Sequence, residues 1–342
     1  MNQEWKWVNA VVPKMTQKLV NRYALLTAVD VMQPVGRRSL AAKLQATERV
    51  VRSDLEVLAE SGLLAMATSG VTLTKAGQEA VIELRPLLET LTGVSKKERL
   101  LQDKLGLAGC HIVPGDSDDQ PEVKALMGRL TNQVLLDEMP PGDSIVAVMG
   151  GTTMAIVSET LTESVSVDRH LTFVPARGGM GESPAIQANT IAARMALATH
   201  GESQPLYLPE LTSNATYDTL RYEPMIANTL ATIERANVVI HCVGDAVAMA
   251  KRRQMPADVV ASLEKQHVVG EAFGDFFDAS GQIVYRVPKL GLSISDLDAM
   301  DLVVAVAGGH TKAAAIDAYF KIPPKATYLI TDEGAADMIL KK

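Results

Sequence analysis

The chain has 342 residues, 47% of them hydrophobic and 21% charged, which excludes wholesale disorder and favours two or three domains with substantial cores. Only two distant cysteines occur, no apolar run approaches the roughly 18 residues of a membrane span, and the first residues, MNQEWKWVNA, lack a signal-peptide core, so we expect a cytoplasmic protein without disulfides. The net charge of −7 argues against nucleic-acid binding, but residues 1–60 carry nine Lys or Arg against six Asp or Glu, so a basic segment precedes an acidic body.

The N-terminal segment predicts three helices. Residues 14–32 have apolar side chains at the spacing of an amphipathic helix. Ser39 is a predicted N-cap for a short helix that ends near Leu44, and Thr47 is a predicted N-cap for a longer helix that runs to about Glu60. Two helices separated by so short a gap are typical of a helix-turn-helix.

The longer helix of this pair has the pattern of a DNA-recognition helix. Val51, Leu55 and Leu58 lie on one face, where they would pack into a core, and basic and hydroxyl side chains share another face near the helix N-terminus. That end enters the major groove in a helix-turn-helix, where Arg reads guanine or binds phosphate. The predicted DNA contacts are Arg37, Arg38, Ser39, Thr47, Arg49, Arg52 and Ser53.

A small helical bundle with solvated arginines would fit the helices alone, but the next segment favours DNA binding. The sequence LLAMATSGVTLTKAG contains two short apolar stretches around Ser69 and Gly70, which predict a β-hairpin, the wing of a winged helix. A further helix is predicted over about residues 75–92. We therefore predict a DNA-binding domain with a linker helix over residues 1–92 and a second domain over residues 93–342.

The second domain is predicted to be a run of βα units. Short apolar stretches alternate with helical stretches, which indicates a mostly parallel sheet covered on both faces. The predicted strands are 111–113, 144–149, 171–175, 238–243, 302–307 and 327–330. The predicted fold class is thus a winged helix-turn-helix followed by an α/β Rossmann-like, doubly wound domain.

Three glycine-rich loops follow strands of this domain and predict anion binding. Glycines let the backbone approach an anion, and helix-start N–H groups, Thr hydroxyls and cations supply donors. One phosphate is predicted at Gly151, Thr152, Thr153 and Lys312, and another near Arg177, Gly178 and Gly179. The dinucleotide fingerprint G-x-G-x-x-G and the Walker A motif are both absent from the sequence, which disfavours dinucleotides and nucleoside triphosphates.

Other polar clusters predict structural roles. The six histidines lack metal-ligand spacing, so no metal site is expected, and no nucleophile, base and orienting group combine into a catalytic site. In GDFFDASG, Asp275, Asp278 and Gly281 indicate a turn between strands that end near Phe277 and begin at Ile283. Asp332-Glu333 indicate a helix cap in preference to a ligand contact.

The segments VMGGTT, FVPARGGMGE, QANTIAARMA, EAFGDFFDASG, AVAGGHTKAAAI and ITDEGAA follow one another through nearly all of residues 110–342. They resemble the sugar-binding domain of SorC-type transcription regulators, which is related to glucosamine-phosphate deaminases and ribose-phosphate isomerases. The helix-turn-helix, with VRSDLEVL, is closer to the DeoR style. One departure is Cys242-Val243-Gly244-Asp245, where many relatives have a G-I-G loop.

The resemblance implies a homo-dimeric or homo-tetrameric repressor of a glycolytic operon, without a cofactor, that binds operator DNA and is released by fructose 1,6-bisphosphate. It implies that Thr152, Thr153 and Lys312 hold one phosphate and that Glu271 faces the sugar hydroxyls. The effector contacts expected in all are Gly151, Thr152, Thr153, Arg177, Gly178, Gly179, Gln187, Arg252, Glu271, Gly309, His310 and Lys312.

Two alternatives remain open at this point. The fold also accommodates a sugar-phosphate isomerase or deaminase, although the acid–base constellation of an enzyme is missing from the sequence. A regulator of the same fold could respond to another sugar phosphate, in which case only one phosphate loop would matter to affinity.

Overall fold

The structure is a computed structural model that describes residues 11–12, 14–44, 46–85, 87–88, 94–178, 183–208, 214–322 and 327–341. The chain divides into two compact units, residues 1–98 and 99–342. The first unit contains α1 (Met15–Met32), α2 (Arg37–Lys43), α3 (Glu48–Glu60), β1 (Leu64–Ala67), β2 (Gly70–Leu73) and α4 (Lys75–Glu83). Helix α5 (Val94–Leu105) crosses the division between the units.

One apolar core holds the first unit together. Leu26 and Val29 of α1, Leu40 of α2 and Leu55 of α3 are each at most 2% exposed and share a core with the hairpin. The i, i+4 and i+7 spacing on α3 therefore buries the face that the sequence predicted. The ion pair between Arg22 and Asp54, 2.8 Å long and only partly exposed, adds a polar contact between α1 and α3.

The start of the short helix differs from its prediction. Helix α2 begins at Arg37, with Gly36 as its N-cap, and Ser39 lies inside the first turn. The N–H of Leu40 already donates to the carbonyl of Gly36, at 3.1 Å, so the helix starts three residues before a Ser39 cap would allow. The prediction for Thr47 is confirmed, since its hydroxyl accepts the N–H of Val50 and caps α3.

The predicted wing is present as an antiparallel hairpin. Leu64 pairs with Leu73 and Ala67 with Gly70, which leaves a two-residue turn. Val35 forms a further antiparallel bridge with Val71 of β2. Gly70 allows this approach, because a Cβ at that position would lie 2.8 Å from the backbone nitrogen of Val35.

The second unit is an α/β domain built on two sheets. Its strands are β3 (Gly109–Val113), β4 (Gly142–Val148), β5 (Arg169–Pro175), β6 (Glu202–Ser203), β7 (Val238–His241), β8 (Gly244–Asp245), β9 (Val268–Ala272), β10 (Asp275–Asp278), β11 (Ile283–Arg286), β12 (Leu302–Val306) and β13 (Thr327–Asp332). Its helices after α5 are α6 (Val123–Glu138), α7 (Thr152–Thr160), α8 (Ala188–Ala198), α9 (Asn214–Leu220), α10 (Pro224–Glu234), α11 (Ala246–Arg252), α12 (Ala257–Lys265), α13 (Ala313–Tyr319) and α14 (Glu333–Leu340). None of the helices in these described ranges combines the length and apolarity that crossing a bilayer requires.

The larger sheet has seven parallel strands in the order β3-β13-β12-β7-β4-β5-β6. Its apolar side chains share a core with α6, α7 and α8. Because all seven strands run the same way, the loops that follow them collect at one edge of the sheet, where α/β proteins bind ligands.

A second sheet, of which the sequence predicted only the two strands on either side of the turn after Phe277, is inserted between β7 and β12. It is antiparallel, in the order β11-β10-β9-β8. Strand β7 consequently ends at His241, earlier than predicted, because Gly244 and Asp245 leave the large sheet and pair with Glu271 and Gly270 of β9. The predicted turn after Phe277 is confirmed between β10 and β11.

Candidate functional site

The exposed face of the helix-turn-helix carries the predicted DNA contacts. Arg49, Arg52 and Ser53 of α3 are exposed, opposite the buried face of the helix. Exposed ion pairs join Arg52 to Glu56, at 3.0 Å, and Arg38 to Glu48, at 3.5 Å. Surface pairs of this kind contribute at most about 1 kcal/mol, so these arginines can exchange their carboxylates for phosphates.

The remaining predicted contacts lie around the same two helices. Arg37, Arg38 and Ser39 are exposed in the first turn of α2, where N–H groups and cations favour anions. Thr47 is exposed as well, and its oxygen caps α3.

The first predicted phosphate region lies at the start of α7, after β4. Gly151 is the N-cap of this helix, and no side chain caps it among the described residues, which leaves the Thr152 and Thr153 end open to an anion. Thr152 is exposed and Thr153 is buried. The N–H of Gly151 itself donates to the carbonyl of Ile186, at 2.8 Å, and so stabilises the loop through a hydrogen bond within the protein.

Carboxylates hold the glycine-rich loop after β12. The N–H of Gly309 donates to Asp332, at 2.7 Å, and the N–H and hydroxyl of Thr311 donate to Asp118, at 2.9 and 2.7 Å. Asp332 also caps α14, as predicted, through the N–H of Ala335. The backbone N–H groups of Gly309, His310 and Thr311 thus donate to carboxylates, and the loop also carries a cation.

That cation is Lys312, at the end of the short 3-10 turn His310–Lys312. Burial lowers the pKa of Lys312, and Cys242, Asp118 and Asp332 counteract the shift. Cys242 lies beside the first phosphate region too, since its thiol is 3.5 Å from the carbonyl oxygen of Gly150. Cys242 thus contacts the loop before α7 and influences the charge of Lys312.

His310 is exposed in this loop and is hydrogen-bonded to a carboxylate. Its Nδ1 lies 2.7 Å from Asp116, a hydrogen bond that raises the pKa of His310. Asp119 completes a group whose potential ligand atoms lie within 4.8 Å of one another. Sequence spacing missed this group because His310 is nearly 200 residues from Asp116 in the chain.

The second predicted region contains a buried charge network. Arg253 and Glu271 form an ion pair of 3.0 Å whose side chains are 2% and 4% exposed, and Lys289 pairs with Asp275 at 2.9 Å. Arg177 is buried beside Glu271. Arg177, Arg253 and Lys289 thus place three cationic side chains around the buried carboxylates of Glu271 and Asp275.

Glu271 is the centre of this network. Burial by itself would raise the pKa of Glu271, but the charges of Arg253 and Arg177 and hydrogen bonds from Arg253 and Gly274 hold it below its ordinary value. The carboxylate accepts the N–H of Gly274 at 2.6 Å and the guanidinium of Arg253 at 3.0 Å. Each carboxylate oxygen has a second acceptor site, so Glu271 can still receive a hydroxyl.

The structure separates two neighbouring arginines that the sequence did not distinguish. Arg252, the predicted contact, is exposed in the last turn of α11, whereas Arg253 is buried against Glu271. Sequence reasoning missed Arg253, although a helix end places adjacent side chains on different faces. The periodicity of the α11 apolar residues was the signal that could have found it.

The other predicted contacts lie along the same edge of the sheet. Gly178 follows β5 and donates its N–H to the carbonyl of Leu290, at 3.1 Å. Gln187 is the half-buried N-cap of α8 and lines a groove of about 740 Å³. Gly179 lies outside the described residues.

Comparisons with known proteins agree with this arrangement. A family model of a sugar-binding domain matches residues 89–341, and a family model of the CggR N-terminal DNA-binding domain matches residues 19–88. The central glycolytic genes regulator of Bacillus subtilis is 39% identical over 100% of this chain and 99% of its own length. That of Priestia megaterium is 38% identical over 97% of this chain and 96% of its own.

Solved structures show the same architecture. A SorC-family transcriptional regulator from Enterococcus faecalis is 45% identical, with a TM-score of 0.69 over 72% of this chain and 99% of that chain. The full-length sorbitol operon regulator SorC from Klebsiella pneumoniae is 17% identical, with a TM-score of 0.64 over 90% of this chain and 94% of that chain, and shows the fold alone.

The matches describe a transcription regulator. A DNA-binding unit precedes a sugar-binding unit whose cationic loops meet at one sheet edge. The chain therefore belongs to the family of the central glycolytic genes regulators, SorC-type transcription regulators that combine a DNA-binding domain with a sugar-binding domain.

Proposed function

We propose that this regulator represses a glycolytic operon as a homo-dimer or homo-tetramer and is released from its operator by fructose 1,6-bisphosphate. The observation that carries the effector assignment is the presence of two separate cationic regions at one sheet edge. One region is the open start of α7 with Lys312, and the other is the buried network that contains Arg177, Arg253 and Lys289. Two such regions suit a sugar with two phosphates.

The contacts of the bisphosphate follow from this arrangement. Thr152, Thr153 and Lys312 bind one phosphate, and Glu271 accepts sugar hydroxyls. The other phosphate is bound by Arg177, Gly178, Gly179, Gln187 and Arg252. Gly309 and His310 act by positioning Lys312, because their N–H groups already donate to Asp332 and Asp116.

The effector assignment is tested by the thermal stability of the full chain with fructose 1,6-bisphosphate, fructose 6-phosphate or glucosamine 6-phosphate. A ligand at about 100 times its dissociation constant adds roughly 2.7 kcal/mol to the free energy of unfolding. We expect the largest shift with the bisphosphate, and we expect Arg252→Ala to reduce that shift selectively. Arg235→Ala, an exposed arginine just before β7 at the opposite edge, is the matched control and should keep it.

A larger shift with a monophosphate would mean that the effector is that monophosphate and not the bisphosphate, and the assignment as a transcription regulator would stand. In that case only one of the two cationic regions should affect affinity, so Lys312 and Arg252 variants would give unequal losses.

For the DNA-binding half, replacing Arg52 with Ala is expected to weaken operator binding by about 1–3 kcal/mol, because Arg52 lies exposed on the recognition helix. Electrophoretic or fluorescence titration of operator DNA at fixed salt measures this loss of affinity. Calorimetry should show that the affinity for the sugar phosphate is unchanged. Glu60→Ala, exposed at the far end of the same helix, is the control. Unchanged operator affinity in Arg52→Ala would show that α3 is not the recognition helix.

The mechanism requires the effector to favour a conformation or assembly in which paired winged helices no longer match the operator. Coupling of this kind is typically about 1–3 kcal/mol, and a ligand can supply it only by binding the two states with different affinities. In a symmetric oligomer the spacing of the paired recognition helices sets the spacing of the operator half-sites.

A further inference from the structure

One short segment connects the two parts of the second phosphate region. Residues 287–292, here called the connecting segment, follow β11. At one end the N–H of Val287 donates to the carbonyl of Gly274, at 2.9 Å. At the other end Gly291 forms an antiparallel bridge with Arg177, and the N–H of Leu292 donates to the carbonyl of Ala176, at 2.7 Å. The connecting segment thus contacts both the turn after Glu271 and the loop that carries Arg177.

Lys289 is the side chain of this segment that reaches the turn. Its side chain is 13% exposed, and its ammonium donates to Asp275, at 2.9 Å, and to the carbonyl oxygen of Phe273. Burial lowers the pKa of Lys289, and the charge of Asp275 counteracts the shift. The ammonium is therefore held in place by an acceptor from the turn and by a carboxylate from β10.

The turn between β9 and β10 is bound on both sides of a single peptide group. The carbonyl of Phe273 accepts from Lys289, and the N–H of Gly274, in the same peptide, donates to Glu271 at 2.6 Å. Phe273 is fully buried and has a positive φ of 54°, which is unfavourable for a side chain of its size. The surroundings must hold this conformation, and Lys289 and Glu271 do so through one rigid peptide plane.

We propose that Lys289 is a positioning and specificity-determining residue of the sugar-phosphate site. Through the Phe273–Gly274 peptide it orients the carboxylate of Glu271, and through the connecting segment it fixes Arg177 at a set distance from that carboxylate. The carboxylate of Glu271, which binds a hydroxyl, and the guanidinium of Arg177, which binds a phosphate, are then held at a fixed separation. This separation favours a ligand whose hydroxyl and phosphate are spaced to match. This inference rests on the proposed function, because it assigns Glu271 and Arg177 to the same ligand.

The test replaces Lys289 with Met in the full chain, and the hairpin offers a matched control. Lys321 donates to the carbonyl of Ala279, at 2.8 Å, and to Asp317, at 3.0 Å, so it has the same two kinds of partner at the other end of β10. We expect Lys289→Met to accelerate amide hydrogen exchange at least tenfold at both Gly274 and Gly178 without ligand. Lys321→Met should leave both amides unchanged.

The second measurement is calorimetric binding of two probes, fructose 1,6-bisphosphate and fructose 6-phosphate. We expect Lys289→Met to weaken the bisphosphate at least tenfold and to lower its preference over the monophosphate, whereas a merely structural role would weaken both equally. Lys289→Arg keeps the charge and the donors and should recover most of the exchange protection. Lys289→Gln, which removes the charge and keeps a donor, takes the place of Lys289→Met if that variant fails to fold, with the same expected direction of change.

Each result decides the inference. Acceleration confined to Gly274, or equal losses for both probes, would overturn it. If the wild-type protein binds neither probe, the proposed effector fails, and the exchange measurement alone decides whether Lys289 joins the Glu271 turn to the Arg177 loop.

Discussion

Replacing Arg253 with Met is expected to lower the free energy of unfolding by about 3–5 kcal/mol, because the change leaves the carboxylate of Glu271 buried without its main partner. The two side chains are 2% and 4% exposed, so water cannot take the place of the guanidinium. Urea denaturation of the full chain at pH 7 measures the loss. We also expect weaker sugar-phosphate binding, since Glu271 is the predicted hydroxyl acceptor.

Two comparisons separate the loss of a buried ion pair from the loss of side-chain volume. Lys251→Met removes an exposed pair with Glu264, whose atoms are 3.6 Å apart, and should change stability by less than about 1 kcal/mol. Adding Glu271→Gln to Arg253→Met removes the stranded charge and keeps an acceptor for Gly274, so stability should partly recover. A double variant less stable than Arg253→Met would contradict the electrostatic explanation.

The same pair gives a pH dependence of defined sign. The pKa of Glu271 is held below its ordinary value, so its contribution to stability is present above the unfolded pKa and is lost as the pH falls through the folded pKa. Without Arg253 the carboxyl protonates at a higher pH, which relieves its buried charge. The stability gap between wild type and Arg253→Met should therefore narrow from pH 7 to pH 4.5.

The sequence predicted those parts of the molecule in which local pattern and global fold agree. The helix over residues 14–32, the Thr47 cap and six of the seven strands of the large sheet depend on periodicity, capping and apolar runs, all of which are local. The two-residue strand β6 was not predicted. The observed ends of these six strands differ from the predicted ends by no more than two residues. The differences arise because pairing with neighbouring strands decides where each strand ends. Gly36 replaced Ser39 as a cap for a similar reason, since glycine also tolerates the extended conformation of an N-cap.

The missed features depend on contacts between residues far apart in the chain. Periodicity could have placed Arg253 on the buried face of α11, but it could not have identified the partner of Arg253, Glu271 on β9. The carboxylates that hold the loop after β12 come from Asp116 and Asp118 beyond β3, nearly 200 residues earlier. Periodicity contains no information about such pairings, so the sequence located the ligand loops but not what holds them.

Asp116, Asp118 and Asp332 hold the loop after β12 and are here called the carboxylate clamp. Replacing Gly309 with Ala tests this clamp most directly. The φ of +97° at Gly309 is unfavourable for an L residue, at a cost of about 1–2 kcal/mol. A Cβ there would also collide with the carboxylate of Asp118, whose displacement adds about 1–3 kcal/mol of overpacking. Because Asp118 holds Thr311, the collision should also move Lys312 and weaken sugar-phosphate binding.

Gly142 supplies the matched control for this prediction. Its φ of +91° is nearly the same, but a Cβ at Gly142 would meet nothing within 4 Å, and the residue lies at the start of β4, at the opposite edge of the sheet. Gly142→Ala should therefore show the backbone cost alone, with sugar-phosphate affinity unchanged, when both variants are compared by urea denaturation and calorimetry. Equal destabilisation in the two variants would mean that Asp118 yields without cost, and the carboxylate clamp would then have no part in placing Lys312.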